Sequence, residues 1–329
     1  MTKTLLEALS LRPVPRPPVW VMRQAGRYLP EYRRLREQHS FQEAVSTPEL
    51  AAEITLQPIR RFAMDGAVIF ADIMTPLEAM GVALTFDPGP RLSPLTLKEV
   101  AGLSPLVPDE VAHVAETIRR VKAEVPEETA VIGFAGAPVT LLSYLLEGGG
   151  SKDFIAMRAA LRSEPVLAIE ALAHLSDSMS IYLSVQEEAG ADVVQLFDTW
   201  AGLLDAAAYE RFAMPAARSC LEGLGIPTIY FAPGAGHTLG VQQGVGATGY
   251  GVDWRVPITD AFHLLDGYPV QGNLDPAVLL TDPATIAEEV GRLLSRVGGR
   301  PGHIMNLGHG IDRRTSPENV AAFVEAVRS

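Results

Sequence analysis

Cysteine is nearly absent: Cys220 stands alone in 329 residues. A single thiol excludes an internal disulfide and a cysteine-rich metal centre, and it suits a reducing compartment. Lysine is scarce as well. Lys3, Lys98, Lys122 and Lys152 are the lysines among 27 basic residues, so arginine carries most of the positive charge. Acidic residues outnumber basic ones, and the formal net charge is −12. That balance repels phosphate backbones, so no nucleic acid is expected as partner, and an anion site must be a local arginine cluster. No apolar run approaches membrane-spanning length, and Met1 to Ser10 lacks the basic start and apolar core of an export signal. The sequence therefore reads as soluble and cytoplasmic, with no membrane partner. A Walker A sequence is missing too. Gly244-Val245-Gly246-Ala247-Thr248-Gly249 matches G-x-G-x-x-G, but it precedes a strand, whereas a dinucleotide fingerprint follows one.

What is present is apolar surface, 47% of the residues, enough for two ordinary domains or one barrel-sized one. It comes in short runs without alternation, the mark of parallel strands buried on both faces. Such runs occur at 19–22, 67–70, 130–134, 192–197, 228–231, 248–252, 270–272 and 303–306. Helical patterns follow them, among them 48–62, 109–125, 140–147, 206–224, 259–265, 284–297 and a last helix to Val327. Thr47 before Pro48 and Ser316 before Pro317 read as helix starts. The segment 81–92, with Pro88-Gly89-Pro90, reads as a hairpin-like excursion. Eight strand-then-helix units predict an α/β fold, a single (β/α)8 TIM-type barrel of parallel strands over residues 1–329. Residues 1–18, rich in proline, form an N-terminal arm. A doubly wound open sheet competes, because periodicity does not separate a closed sheet from an open one.

In a barrel the chemistry lies at the C-terminal ends of the strands, here at Arg23, Asp72, Thr199, Asp253, Asn273 and His309. The densest stretch is Val19-Trp20-Val21-Met22-Arg23-Gln24-Ala25-Gly26-Arg27-Tyr28-Leu29-Pro30. Gly26 lets the backbone pass close to something or take positive φ. Arg23 and Arg27, with Arg36 beyond, offer forked donors suited to carboxylates or phosphates; they read equally as solvated arginines at a helix start. Asp72 either caps the next turn or points an acceptor into an apolar mouth, to meet N–H groups or a developing cation. Tyr144 can reach that mouth or pack in the core. His309 lies between two glycines, as a ligand contact or as a core histidine on a carbonyl. Gly148-Gly149-Gly150-Ser151-Lys152 reads as a helix end with Ser151 or Asp153 capping the next helix, as a phosphate cradle, or as a flap. His237 is followed by Thr238-Leu239, so a His-x-Cys zinc arrangement is missing, and Cys220 reads as buried and inert.

Several of these stretches resemble the uroporphyrinogen decarboxylase family, and the likeness covers nearly the whole chain. The matching runs are WVMRQAGRYLPEYRRLR from Trp20, PELAAEITLQPIRRF from Pro48, IFADIMTPLEAMG from Ile69, GFAGAPVTLLSYLLEGGGSKDF from Gly133, LFDTWAG from Leu196, VQGNLD from Val270 and NLGHGI from Asn306. The resemblance implies a (β/α)8 barrel, a cytoplasmic homodimer, and a place in tetrapyrrole synthesis. It implies that the four acetates of uroporphyrinogen III become methyls, giving coproporphyrinogen III, with no cofactor and no metal. It gives Arg23 and Arg27 as binders of substrate carboxylates, with Gln24, Ala25 and Gly26 shaping their loop. Asp72 matches the acceptor for pyrrole N–H groups; Tyr144, Thr199 and His309 match polar substrate contacts, and Arg36 a further basic position. Asp72, Arg23 and Tyr144 are accordingly the expected catalytic residues. Position 199 is often serine in the family, and Asp312-Arg313-Arg314 replaces a more apolar turn. The rivals are a corrinoid-linked methyltransferase on the same barrel and a tetrapyrrole-binding protein without turnover.

Overall fold

A computed structural model describes residues 3–86 and 89–329. Its strands are β1 (Gly66–Val68), β2 (Thr85–Phe86), β3 (Pro90–Arg91), β4 (Ala130–Gly136), β5 (Val193–Phe197), β6 (Thr228–Phe231), β7 (Gly249–Gly251), β8 (Val270–Gln271) and β9 (His303–Ile304). Seven of them form one sheet in the order β1-β4-β5-β6-β7-β8-β9, and every pairing in it is parallel. Helices return the chain between successive strands and cover the outer face. Every residue of β4 is buried, as the unalternating apolar runs require. β2 and β3 pair antiparallel, so the excursion expected at 81–92 is a hairpin; Pro88 lies outside the described residues.

Two expectations need correction. The run 19–22 is not a strand: it makes a single parallel bridge, Val19 to Met305. The reason lies in its donors. Val19 N–H goes to Asp65 Oδ2 (2.8 Å), Val21 N–H to Gln24 Oε1 (3.1 Å) and Met22 N–H to Asn306 Oδ1 (3.1 Å). Side chains take the bonds that a ladder would use. The segment still bridges the two sheet edges, because Asp65 N–H donates to Val19 O and Trp20 N–H to Met305 O. Secondly, 206–224 is broken into Ala206–Ala208, a wider π turn Tyr209–Ala213, and Met214–Leu221. Pro215 has no N–H for the i−4 carbonyl, and a π turn absorbs the gap. After the glycine triplet come two separate helices, Ile155–Ser163 and Pro165–Glu188, and the second is long and apolar enough by composition to cross a membrane. Half of its most apolar window is buried inside the fold, which is what a core helix requires.

The arm is not loose. Its helix Thr4–Leu9 buries Leu5, Ala8 and Leu9, and Lys3 Nζ meets Asp192 Oδ2 at 2.5 Å. Arg16 forks onto both oxygens of Asp65 at 2.7 and 2.9 Å. Inside the sheet, Trp20 Nε1–H donates to Gln271 Oε1, and Gln271 Nε2–H to Gln195 Oε1, both at 3.0 Å. This polar thread satisfies an indole that burial would otherwise penalise.

Candidate active site

Three of the expected residues, Asp72, Tyr144 and His309, lie within electrostatic reach of Arg23. Its backbone sits in the left-handed region, φ 64°, which costs an L-residue and turns the side chain away from the preceding run. Positive φ therefore falls on Arg23, whereas Gly26 is needed for close approach: a Cβ there would lie 3.0 Å from Arg23 O. Gly310 completes the berth. A Cβ at 310 would stand 2.5 Å from Arg23 Cδ and 2.9 Å from Nε, so the guanidinium stem rests on the glycine. Ile311 N–H donates to Met22 O at 3.0 Å and fixes the two loops together. Arg23 and Arg27 are exposed, and among the described residues neither is paired with a carboxylate.

Gln24 points the other way. It is fully buried; its amide donates to Gly66 O at 2.9 Å and accepts from Val21 N–H. Its role is to shape the arginine loop against β1. Ala25 and Gly26 are half-buried in the same turn. Arg33 Nη1 holds the loop's far end through the carbonyls of Arg27 (3.0 Å) and Tyr28 (2.9 Å).

Asp72 follows β1 by a few residues and is half-buried. Both readings of it hold at once. Oδ1 accepts from Met74 N–H at 2.8 Å and so opens the helix Thr75–Ala79. Among the described residues no donor reaches Oδ2. Burial lifts the carboxyl to about 6, opposed by the Met74 N–H; the Glu78 charge adds to the rise and Arg23 offsets part of it. The group is thus mostly ionised at neutral pH and poorly solvated. Tyr144, on the helix Pro138–Glu147, lies within electrostatic reach of both Asp72 and Arg23, and burial pushes its phenol up. Its ring meets Trp200 and Phe154 edge-on at 6.2 and 5.6 Å.

His309 joins from the opposite edge of the sheet. Burial, with the charges of Arg23 and Arg255, drives its imidazolium down to about 4 against the pull of Asp253. At neutral pH the ring is uncharged and serves as a hydrogen-bonding contact. It meets Trp254 edge-on at 6.4 Å, and Arg255 stacks over that indole at 4.0 Å. Thr199 is half-buried beside Trp200, its hydroxyl without a hydrogen-bond partner among the described residues, on the same rim as Tyr144. Arg36 stands apart on the helix Pro30–Gln38, 5.5 Å over Phe41, with Nη1 buried and unpartnered among the described residues. Asp253 and Asn273, also expected at strand ends, are occupied by backbone. Asp253 accepts from the N–H groups of Gly234 and Arg255, and Asn273 donates to the carbonyls of Asp253 and Val256.

Asp198 escaped sequence reasoning as a site residue. It is fully buried, accepts from Thr140 Oγ1–H (2.9 Å) and Tyr230 O–H (2.8 Å), and is lifted to about 6 by burial against those bonds. Thr140 Oγ1 also accepts from Trp200 N–H at 3.2 Å, so the trio fixes the turn carrying Thr199. The signal was a second acid beside Thr199 at a strand end. The glycine triplet is settled as a helix end: Gly148 takes φ 78°, its N–H reaches Tyr144 O, and Leu92 N–H binds Gly148 O. Ser151 Oγ accepts from Phe154 N–H at 3.2 Å. Cys220 is buried and donates to Ala216 O, and burial pushes its thiol up. Among the described residues no three His, Cys, Asp or Glu side chains are grouped to hold a metal ion.

Comparison with known proteins gives consistent matches. The family model for uroporphyrinogen decarboxylase (URO-D) matches residues 1–329. A uroporphyrinogen decarboxylase from Syntrophotalea carbinolica is 45% identical over 323 residues, 96% of this chain and 94% of its own. One from Thermus thermophilus is 46% identical over 332 residues, 98% of this chain and 97% of its own. Among solved structures, a methyltransferase from Methanosarcina mazei superposes with a TM-score of 0.83 at 20% identity, covering 99% of this chain and 97% of that one. At that identity the likeness speaks to fold alone.

Proposed function

Since this chain belongs to the uroporphyrinogen decarboxylase family, we propose that Asp72, Arg23 and Tyr144 carry its chemistry at the strand ends. The enzyme is a carboxy-lyase of porphyrin and haem biosynthesis. It converts the four acetates of uroporphyrinogen III to methyls, giving coproporphyrinogen III. Each loss of CO2 leaves an electron pair that needs a sink. A pyrrole protonated on ring carbon is one, because its nitrogen then carries positive charge.

The carrying observation is the state of Asp72: ionised at neutral pH, underhydrated, and with Oδ2 facing no donor among the described residues. Pyrrole N–H groups supply the missing donors, and a ring cation supplies the missing charge. The desolvation that lifts its pKa is recovered as the cation forms, so the contact is stronger in the transition state than in the ground state. Arg23 and Arg27, exposed and uncommitted, take substrate carboxylates through forked bonds. Tyr144, Thr199 and neutral His309 orient the macrocycle, and Arg36 serves a more distant carboxylate. The bridges from Val19 to Met305 and to Asp65 support a closed (β/α)8 barrel over one domain, 1–329. The family assignment supports a cytoplasmic homodimer that works without metal or organic cofactor. The methyltransferase reading is not favoured, because Cys220 is buried and Leu239 stands where a zinc-binding cysteine is needed.

The test replaces Asp72. Asp72→Asn keeps the size, removes the charge and turns an amide donor toward the pyrrole N–H groups. We expect kcat on uroporphyrinogen to fall on the order of 10²–10³-fold with folding unchanged by circular dichroism. Asp72→Glu keeps the charge, displaced by a methylene, and retains more activity than the asparagine variant. Near wild-type turnover by Asp72→Asn reduces Asp72 to a cap of the Thr75–Ala79 helix.

A further inference from the structure

Each decarboxylation consumes a proton. The bond from the methylene to the carboxylate breaks, its electron pair ends in a C–H bond of the new methyl, and CO2 leaves. A substrate held over the strand ends by Arg23 and Asp72 shields that side of Asp72 from solvent. The protons must reach the reacting face by another way.

Asp72 has a second side. It lines a cleft of about 150 Å³ with Phe41, Thr75, Glu78, Phe86 and His113. That volume holds several waters, at about 30 Å³ each in the liquid. The cleft is graded in exposure: Asp72 is half-buried, whereas Glu78, six residues further on, is exposed to solvent. Between them stands Thr75. Its side chain lines the cleft, the residue is 5% exposed, and its Oγ1 has no hydrogen-bond partner among the described residues. A buried hydroxyl left unpaired is costly, and one that both donates and accepts is a ready anchor for water. Phe41 and Phe86, 5.2 Å apart, make part of the wall apolar, and Gln42 and Ser46 add polar groups to it.

The geometry points to this cleft as the enzyme's proton entry: Glu78 takes protons from solvent and passes them, through water held at Thr75 Oγ1, to Asp72. Asp72, in its minor protonated form, gives a proton to the ring carbon and is left as the anion facing the cation it has made; once CO2 leaves, a recharged Asp72 protonates the exocyclic methylene and the ring carbon gives its proton back, so the net demand is one proton. Glu78 then recharges it, one proton for each CO2 released. The inference rests on the reading of Asp72 given above. Several charges bear on Asp72. Glu78 and His113 face it from the cleft, Arg23 from the arginine loop, and Tyr144 and Tyr182 from two helices. Burial raises both carboxyls and keeps His113 neutral, so the two acids are the exchanging pair.

The experiment measures multiple-turnover CO2 release by E78Q, E78D and D72N at fixed pH. It varies the concentration of a small buffer acid such as acetic acid, and repeats the series in D2O. Glu78 is exposed, so its variants keep the wild-type melting temperature. E78Q is expected to lose on the order of tenfold in kcat with KM little changed, less than a directly acting acid would cost. Its rate should climb with buffer acid and show a larger solvent isotope effect than wild type, while E78D retains most of the rate. An E78Q enzyme with wild-type kcat overturns the relay, as does a slow E78Q that buffer acid does not restore. D72N separates the two levels: a dead D72N beside a normal E78Q removes the relay alone, and a fully active D72N removes the Asp72 assignment beneath it.

Discussion

Arg23 owes its place to residues that carry no charge. Its stem lies on Gly310, where only the second α-hydrogen of a glycine fits: a methyl would come within 2.5 Å of Cδ. Gly310→Ala therefore displaces the guanidinium without touching its charge. We expect KM for uroporphyrinogen to rise about tenfold, since a charge-assisted contact is worth about 1.5–3 kcal/mol and part of it survives. The melting temperature should hold, because the contact is at the exposed rim. Steady-state kinetics with a melting curve checks it, and an unchanged KM would mean that Arg23 is not engaged. Much of this was legible: glycines beside a histidine at a strand end, and glycine inside an arginine loop, both signal close approach. The strain at Arg23 was not. Positive φ was one of two readings of Gly26, the other being close approach, whereas the structure gives Gly26 the close approach and puts positive φ on the arginine that has to turn.

At the scale of elements, the turn after β5 is held by Asp198, Thr140 and Tyr230, drawn from three separate strand-and-helix units. No local pattern announces partners so far apart in sequence, which is why Thr199 was legible as a site residue and its support was not. The buried carboxyl has a consequence in pH. Its pKa rises on folding from 3.8 to about 6, so its protonated form favours the folded state. That contribution is complete below the unfolded pKa and is lost as pH rises through about 6. Asp198→Asn keeps an acceptor for Thr140 and removes the titration. Between pH 5 and 7.5 the wild type should lose on the order of 1–2 kcal/mol more stability than the variant. Denaturant unfolding at the two pH values measures this, and parallel losses would contradict it. The break at Tyr209–Ala213 was missed as well: the apolar periodicity of 206–224 continues across Pro215, whose missing N–H forces the wider turn.

Over the whole molecule, the strand count fell one short because a strand was sought where side chains do the pairing. Unalternating apolar runs identified all seven parallel strands, with bounds shifted by a residue or two. The eighth run pairs through Asp65, Gln24 and Asn306, and side-chain substitutes for a ladder leave no periodic trace. Asp65 is the central fastener. It is buried, holds Arg16 by two bonds and Val19 N–H by a third. Asp65→Ala removes all three at once. Arg16 is partly exposed and regains water, so the expected loss is about 2–3 kcal/mol, smaller than for a fully buried pair. Thermal or urea unfolding reads it, and a loss under 0.5 kcal/mol would show that the edges are held by packing instead.

The bridge from Val19 to Met305 also sets an order of events during synthesis. The arginine loop leaves the ribosome long before the backbone that seats it, Gly310 and Ile311. Contacts of such long sequence separation form late, after the intervening strands and helices have condensed. A nascent chain therefore carries Arg23 and Asp72 for most of its translation without a berth for the first. Nothing short of the full sheet can bind substrate well, and a chain interrupted before Gly310 is left without a competent site.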